Sequence, residues 1–94
     1  MAGPTFEWDP AKAAANLLQH GVTFEEAVTV FQDPLAKIHD DPAHSAAERR
    51  DIIVGRSIQG QLRLVAFTDR GSNIRVISAR PVTRQERRDY EEAK

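Results

Sequence analysis

Apolar residues fall into two regimes along this chain, helix-favouring before residue 34 and alternating at strand spacing after residue 49. Thr5 to Trp8 alternates weakly and reads as a short edge strand. Asp9-Pro10 then supplies an N-cap carboxylate and an N1 proline for a first helix that runs to His20. Ala11, Ala14, Ala15, Leu17 and Leu18 favour that helix, and Gly21 stands where a C′ glycine belongs. Thr23-Phe24-Glu25-Glu26 is a capping box for a second helix, with Val22 and Ala27 as staple partners and Val30 and Phe31 continuing its apolar face to Asp33-Pro34. Leu35 to His39 and Arg50 to Ile58 are predicted strands. Gln59-Gly60 is a tight turn into Gln61 to Thr68, and Asp69 to Ser72 turns again into Asn73 to Arg80, so the second half is a β-meander. A second capping box, Thr83-Arg84-Gln85-Glu86, opens a closing helix. The expected fold is α+β: two helices, an antiparallel meander, then a helix.

The side-chain period of two decides which strand residues share a face. A two-residue first turn sets Arg56 opposite Arg63 and Val54 opposite Val65, and a four-residue second turn sets Thr68 opposite Asn73 and Arg63 opposite Ser78. One face then carries Arg56, Arg63, Ser78 and Arg80 beside Val54, Val65, Phe67, Ile74 and Val76. The other carries Ile53, Leu62, Leu64, Ala66, Ile77 and Ala79, interrupted by Arg75, and is expected to take the helices. Arg56 beside Arg63 requires an anion or a carboxylate between them. A slip of one residue in either turn dissolves the cluster.

Charge sharpens this picture. All ten arginines lie beyond residue 48. Residues 1 to 48 carry two lysines against eight carboxylates, and residues 49 to 94 carry eleven cations against six, so a near-neutral total is expected to hide a polarised molecule. Guanidinium grips phosphate bidentately and stacks on bases, which points to an RNA or phosphate surface; a solvated charged face is the competing explanation. Ninety-four residues suit one domain, from 1 to 94. The absence of cysteine excludes disulfides and thiolate metal sites. No window approaches the roughly 18 apolar residues of a membrane span, so a soluble, cytoplasmic protein is expected. Asp40 to Glu48, polar and interrupted by proline, is the expected flexible stretch.

Cleaving RNA without a metal requires activating a 2′-hydroxyl, stabilising charge on a pentacoordinate phosphate and protonating a leaving oxygen; arginines supply the central term. Arg80, at a strand end before Pro81, projects from a rigid base. Arg75 must either reach the rim of its apolar face or pair internally. Tyr90, the single tyrosine, either docks the last helix or offers its ring or phenol to RNA. Arg84, Arg87 and Arg88 read mainly as a solvated face. His20 is the histidine within a confident element, suited by type to proton transfer and by position to the helix dipole. His39-Asp40-Asp41 with His44 matches no metal-ligand spacing, so no metal or other cofactor is expected.

Several separated blocks together resemble a known family. Phe6-Glu7-Trp8-Asp9 with Lys12, Asn16 and His20-Gly21-Val22; Phe24-Glu25-Glu26-Ala27, Phe31 and Asp33-Pro34; Thr68-Asp69-Arg70-Gly71; and Ile74 to Arg80 with Glu86 to Glu91 are similar to the BrnT toxins of bacterial type II toxin–antitoxin systems. The resemblance implies a RelE-like ribonuclease fold and a toxin that arrests translation by cutting RNA. It also implies a BrnA antitoxin with a ribbon-helix-helix DNA-binding region, so that operator DNA is met only through the antitoxin in a hetero-oligomer. By position it places catalytic groups at Arg75, Arg80, Tyr90 and His20, and Lys12 beside them. With the sheet reading, Lys12, Arg56, Arg63 and Arg70 are the expected RNA contacts. Gln61 and Pro81 stand where basic residues are expected, and Arg56 and Arg63 are the candidates to compensate. Two other functions fit the same arginines: a nucleic-acid-binding module without catalysis, and a domain whose basic half docks an acidic partner.

Overall fold

The computed structural model describes residues 4–41 and 49–92. Its elements, in chain order, are β1 (Thr5–Glu7), α1 (Pro10–His20), α2 (Phe24–Thr29) running into a 3-10 turn (Val30–Gln32), β2 (Lys37–Asp40), β3 (Asp51–Arg56), β4 (Leu62–Arg70), β5 (Asn73–Pro81) and α3 (Arg84–Glu92). One five-stranded sheet has the order β1-β5-β4-β3-β2. The meander is antiparallel as expected, but β1 joins β5 in parallel, so the sheet is mixed.

Helix ends follow the local chemistry of the sequence. Asp9 Oδ1 accepts from the Ala11 N–H at 2.8 Å, and Gly21, at φ 71°, donates to the Leu17 carbonyl at 2.9 Å. Thr23 Oγ1 accepts from Glu26 N–H at 3.0 Å, but the Glu26 carboxylate does not return to close the box. It turns inward instead, 2.9 Å from Arg63 Nε and 2.8 Å from Ser57 Oγ. The second box closes in both directions: Glu86 N–H donates to Thr83 Oγ1 at 3.1 Å, and Thr83 N–H to Glu86 Oε1 at 2.8 Å.

The expected register is wrong by one residue at the first turn. Ser57 N–H donates to the Gln61 carbonyl at 2.8 Å and Gly60 N–H to the Ser57 carbonyl at 2.8 Å, with Gly60 at φ 81°. This three-residue loop, a turn followed by a left-handed glycine, sets Gly55 opposite Arg63 and Arg56 opposite Leu62. Arg56 and Arg63 therefore lie on opposite faces, and the predicted arginine cluster does not form. The second turn departs from expectation too, with two residues rather than four, so Arg70 and not Thr68 lies opposite Asn73, and Arg63 lies opposite Pro81 rather than Ser78. Ala66 pairs with Ser78 but Phe67 with Val76, so Ile77 is the extra residue of a β-bulge.

Both faces are consequently apolar. Ile53, Val65, Phe67, Val76 and Ala79 pack with Val22, Phe24, Ala27 and Val30 from the α1–α2 layer, and Phe31 contacts the rings of Phe6 and Phe67 at 5.1 and 5.0 Å between centres. Across the sheet, Val54, Leu62 and Leu64 pack against Tyr90 of α3. The helices thus divide between the faces rather than sharing the one predicted. The middle strands are apolar on both sides because each side is covered.

Asn16 joins α1 to β5. Its Nδ2 donates to the carbonyls of Ala79 (2.8 Å) and Val22 (2.9 Å), while its Oδ1 accepts from Ala79 N–H at 3.0 Å. Since β1 pairs with β5 only from Asn73 to Arg75, the amide supplies Ala79 with the partners a neighbouring strand would give. Asn16→Ala removes this pairing from a buried site. We expect a loss of about 2–4 kcal/mol in urea unfolding; a change below about 0.5 kcal/mol would show that water replaces the amide at no cost.

Candidate functional site

A groove runs between β2 and α3 on the Val54–Leu64 face of the sheet. One part, of about 190 Å³, is lined by Lys37, His39, Ile52, Val54, Leu64, Glu86, Asp89 and Tyr90. A second, of about 530 Å³, continues past Pro34, Leu35, Ala36 and Arg56 to Glu91 and shares Lys37 and Tyr90 with the first. β2 supplies Lys37 and His39 to this face because they pair with Val54 and Ile52; Ile38, between them, points to the other.

Tyr90 is the wall between the two parts. Its ring is 9% exposed, and its hydroxyl donates to Asp33 Oδ2 at 2.6 Å. The same oxygen accepts from Arg56 N–H at 2.8 Å, and Oδ1 accepts from Leu35 N–H at 2.9 Å. Gly55 lets the chain come this close: a Cβ there would stand 2.8 Å from Ala36 Cβ and 3.0 Å from Asp33 Oδ2. Partial burial pushes the Asp33 carboxyl upward, but the hydrogen bonds from Arg56, Tyr90 and Leu35, with the Arg56 charge, outweigh it and hold the group below its ordinary value. Burial and then the bond to Asp33 raise the Tyr90 phenol, with Arg56 opposing. The phenol is therefore a proton donor at neutral pH. The Arg56 guanidinium lies 5.9 Å from the ring centre and donates to the Gly60 carbonyl at 3.1 Å.

Arg80 stands where Glu86 closes the groove. Its two terminal nitrogens meet the two Glu86 oxygens at 2.9 and 2.8 Å, a parallel fork of the kind that also grips phosphate. The bond to Arg80, opposed by desolvation and aided by the Thr83 N–H, lowers the Glu86 carboxyl.

The remaining sequence candidates lie elsewhere. Arg75 is on the same face as Arg80 but past the bulge, paired with Glu7 at 2.9 Å. Arg63 is largely buried against Glu26, on the face away from Arg56. Arg70 is at the tip of the β4–β5 hairpin. Lys12 and His20 are on α1, across the sheet from the groove, because α1 packs on the Val65–Ala79 face. His39 is the histidine that lines the groove; His44 lies outside the described residues, as does 42–48 of the expected flexible stretch, while Asp40 belongs to β2 and pairs with Arg49 at 2.9 Å. The two halves also meet directly: Glu7, Glu26 and Asp33 of the acidic half bind Arg75, Arg63 and the Arg56 backbone of the basic half. Sequence reasoning missed Asp33 and Glu86 as site residues, having read them only as a helix stop and a cap. Nothing local to Asp33 signals a partner 57 residues away.

This architecture, a mixed sheet with a helical layer on one face and a groove beside a closing helix on the other, is shared with a toxin of known structure. The crystal structure of the Brucella abortus ribonuclease toxin BrnT, at 1.1 Å, matches it with a TM-score of 0.68 at 24% identity, over 86% of this chain and 99% of that one. The family model of the BrnT ribonuclease toxin of type II toxin–antitoxin systems matches residues 8–86, and the chain belongs to that family. No curated protein sequence matches the chain. The matched span holds Asp33, Arg56, Arg80 and Glu86 but stops short of Tyr90.

The two depressed carboxyls fix the sign of an acid response. Groups held below their ordinary values contribute stability above the ordinary carboxylate range, and it is lost as pH falls through the depressed values. Asp33→Asn is expected to cost about 1–2 kcal/mol at pH 7, with the difference from wild type closing in acid. Because Tyr90 is the single tyrosine, its ultraviolet ionisation curve reads the contact directly. The phenol should titrate lower in Asp33→Asn; an unchanged curve would show that the carboxylate does not hold it.

Proposed function

We propose that the protein is a metal-independent endoribonuclease that cuts RNA in the bacterial cytoplasm and so arrests translation. In this reading a BrnA-type antitoxin with a ribbon-helix-helix region neutralises it in a hetero-oligomer and carries the complex to operator DNA. The observation that carries the proposal is the groove lined by Arg56, Tyr90 and Glu86, with Arg80 forked to that Glu86, in a chain of the BrnT ribonuclease toxin family.

The groove divides the chemistry among its residues. Arg80 takes the scissile phosphate, exchanging the Glu86 carboxylate for phosphate oxygens in the same fork and countering charge that grows as the phosphorus becomes pentacoordinate. Arg56 supplies a second positive charge at the other end, held by the Tyr90 ring. Tyr90, kept protonated, provides a ring wall and a fixed hydroxyl. Asp33 acts through both as a positioning residue. For proton transfer the groove offers the His39 imidazole, whereas His20 is across the sheet. Arg75, further along β5, extends the cationic track for RNA leaving the groove.

Induced expression should arrest growth and produce discrete new RNA 5′ ends, and purified protein should cut RNA in EDTA. Arg80→Ala should lower the cleavage rate by about 100-fold. Arg80→Lys, which leaves a cation for Glu86 but no fork, should lose most of that activity while unfolding like wild type. Folded wild-type protein that binds RNA with a salt-dependent affinity yet never cuts it would instead establish the non-catalytic binding module.

A further inference from the structure

The smaller part of the groove differs from the rest in what it can bind. Its floor is Ile52, Val54 and Leu64, its wall is the Tyr90 ring, and its α3 rim carries two carboxylates, Glu86 and Asp89. The two carboxylates repel a phosphate along the α3 rim and the aliphatic floor offers it no hydrogen bond, while Lys37 and His39 line the opposite side. A flat, neutral ring meets neither obstacle. An apolar cavity of roughly 150 Å³ accepts one benzene ring, and this one, at about 190 Å³ and open to solvent on one side, has room for one heterocycle and not for a whole nucleotide. Single-stranded RNA is read in this way, with a splayed base seated on side chains and its edge hydrogen-bonded.

The rim then selects among the bases. In the free protein Glu86 is committed to Arg80 and to Thr83 N–H, whereas Asp89 takes one hydrogen bond among the described residues, from Gln85 Nε2 to Oδ1 at 2.9 Å. A carboxylate only accepts, so it matches an edge that presents two adjacent donors. Guanine does so with N1–H and its 2-amino group. Adenine and cytosine place a ring-nitrogen acceptor beside their amine, and uracil flanks its one N–H with two carbonyls. Lys37 and His39, brought to this face by their pairing with Val54 and Ile52, form the opposite rim.

We propose that this pocket binds a guanine base of the RNA strand, with Asp89 as the residue that reads it. The inference rests on the ribonuclease reading, and it places the guanine beside the phosphate held at Arg80, because Glu86 borders the pocket and grips that arginine. The toxin would thus cut next to G.

Two measurements on the full chain test it. In digests of a random-sequence RNA, wild type should cut at G-adjacent bonds at least about tenfold more often than at others, and Asp89→Asn should bring that ratio within one digest close to one. Asp89 is exposed, so the change leaves the core intact. Independently, methyl resonances of Ile52, Val54 and Leu64 should shift saturably with guanosine 3′-monophosphate and much less with the adenosine, cytidine and uridine monophosphates. Cleavage without base preference, or a preference untouched by Asp89→Asn, overturns the guanine assignment and leaves the nuclease standing. Guanosine monophosphate binding at those methyls without RNA cleavage upholds the pocket and overturns the nuclease. Methyls that ignore all four nucleotides and shift only with the purified antitoxin make the pocket a protein-docking site, and the proposal fails.

Discussion

The Asp33 carboxylate is the contact on which the groove depends. It sits just past the 3-10 turn, accepts from Leu35 on its own segment, from the end of β3 at Arg56 N–H, and from α3 through the Tyr90 hydroxyl. Each bond fixes a different element, and the three meet at one group. Besides that bond α3 is tied to β5 by the Arg80–Glu86 fork; Tyr90 is its one buried residue among those described, and its other side chains are mostly charged. A helix of nine residues is marginal by itself, so its position is set by these two anchors rather than by its own propensity. The depth and width of the groove follow from where these anchors hold it.

The same economy governs the arginines. In sequence they form a basic half facing an acidic half, but the folded chain interleaves the halves, with Glu7–Arg75 and Glu26–Arg63 separated by 68 and 37 residues. The Glu26–Arg63 pair is the more buried, and Ser57 Oγ satisfies the same carboxylate oxygen. Removing either partner would strand the other, whereas the pair together is nearly neutral for stability. Its value lies in fixing how α2 meets β4. Arg80 is likewise held by a carboxylate, but by Glu86, which lines the groove.

The features legible in the sequence were the ones encoded over a few residues. Asp9-Pro10, Gly21 and the Thr83–Glu86 box locate helix ends because capping is a contact between near neighbours. The meander and closing helix were legible from alternation and punctuation. Register was not, because it turned on Gly60 taking a left-handed conformation within a three-residue loop, on a second turn of two residues rather than four, and on Ile77 being left unpaired; none changes the hydrophobic pattern enough to show. Tyr90 and Arg80 stood out as a lone aromatic and a strand-end arginine. Asp33 did not, since the Asp-Pro pair already had a sufficient local explanation in ending a helix, and its partners come from two distant segments.

Glu86 shows how such a site can be both folded and ready. A guanidinium left bare in a half-buried place pays for its desolvation with no return, and here the capping carboxylate satisfies it in the free protein. In the proposed reaction a phosphate oxygen pair takes the same fork, so Arg80 exchanges one bidentate partner for another and is never stranded. The carboxylate that leaves also caps α3 through Thr83 N–H. Its departure costs about 1 kcal/mol of capping, small beside the charge that develops on a phosphate in the transition state. The exchange also discriminates: an anion with only one oxygen to offer cannot replace both bonds, and one that carries a phosphate's charge and geometry can. The helix cap thereby becomes part of how the groove chooses what it holds.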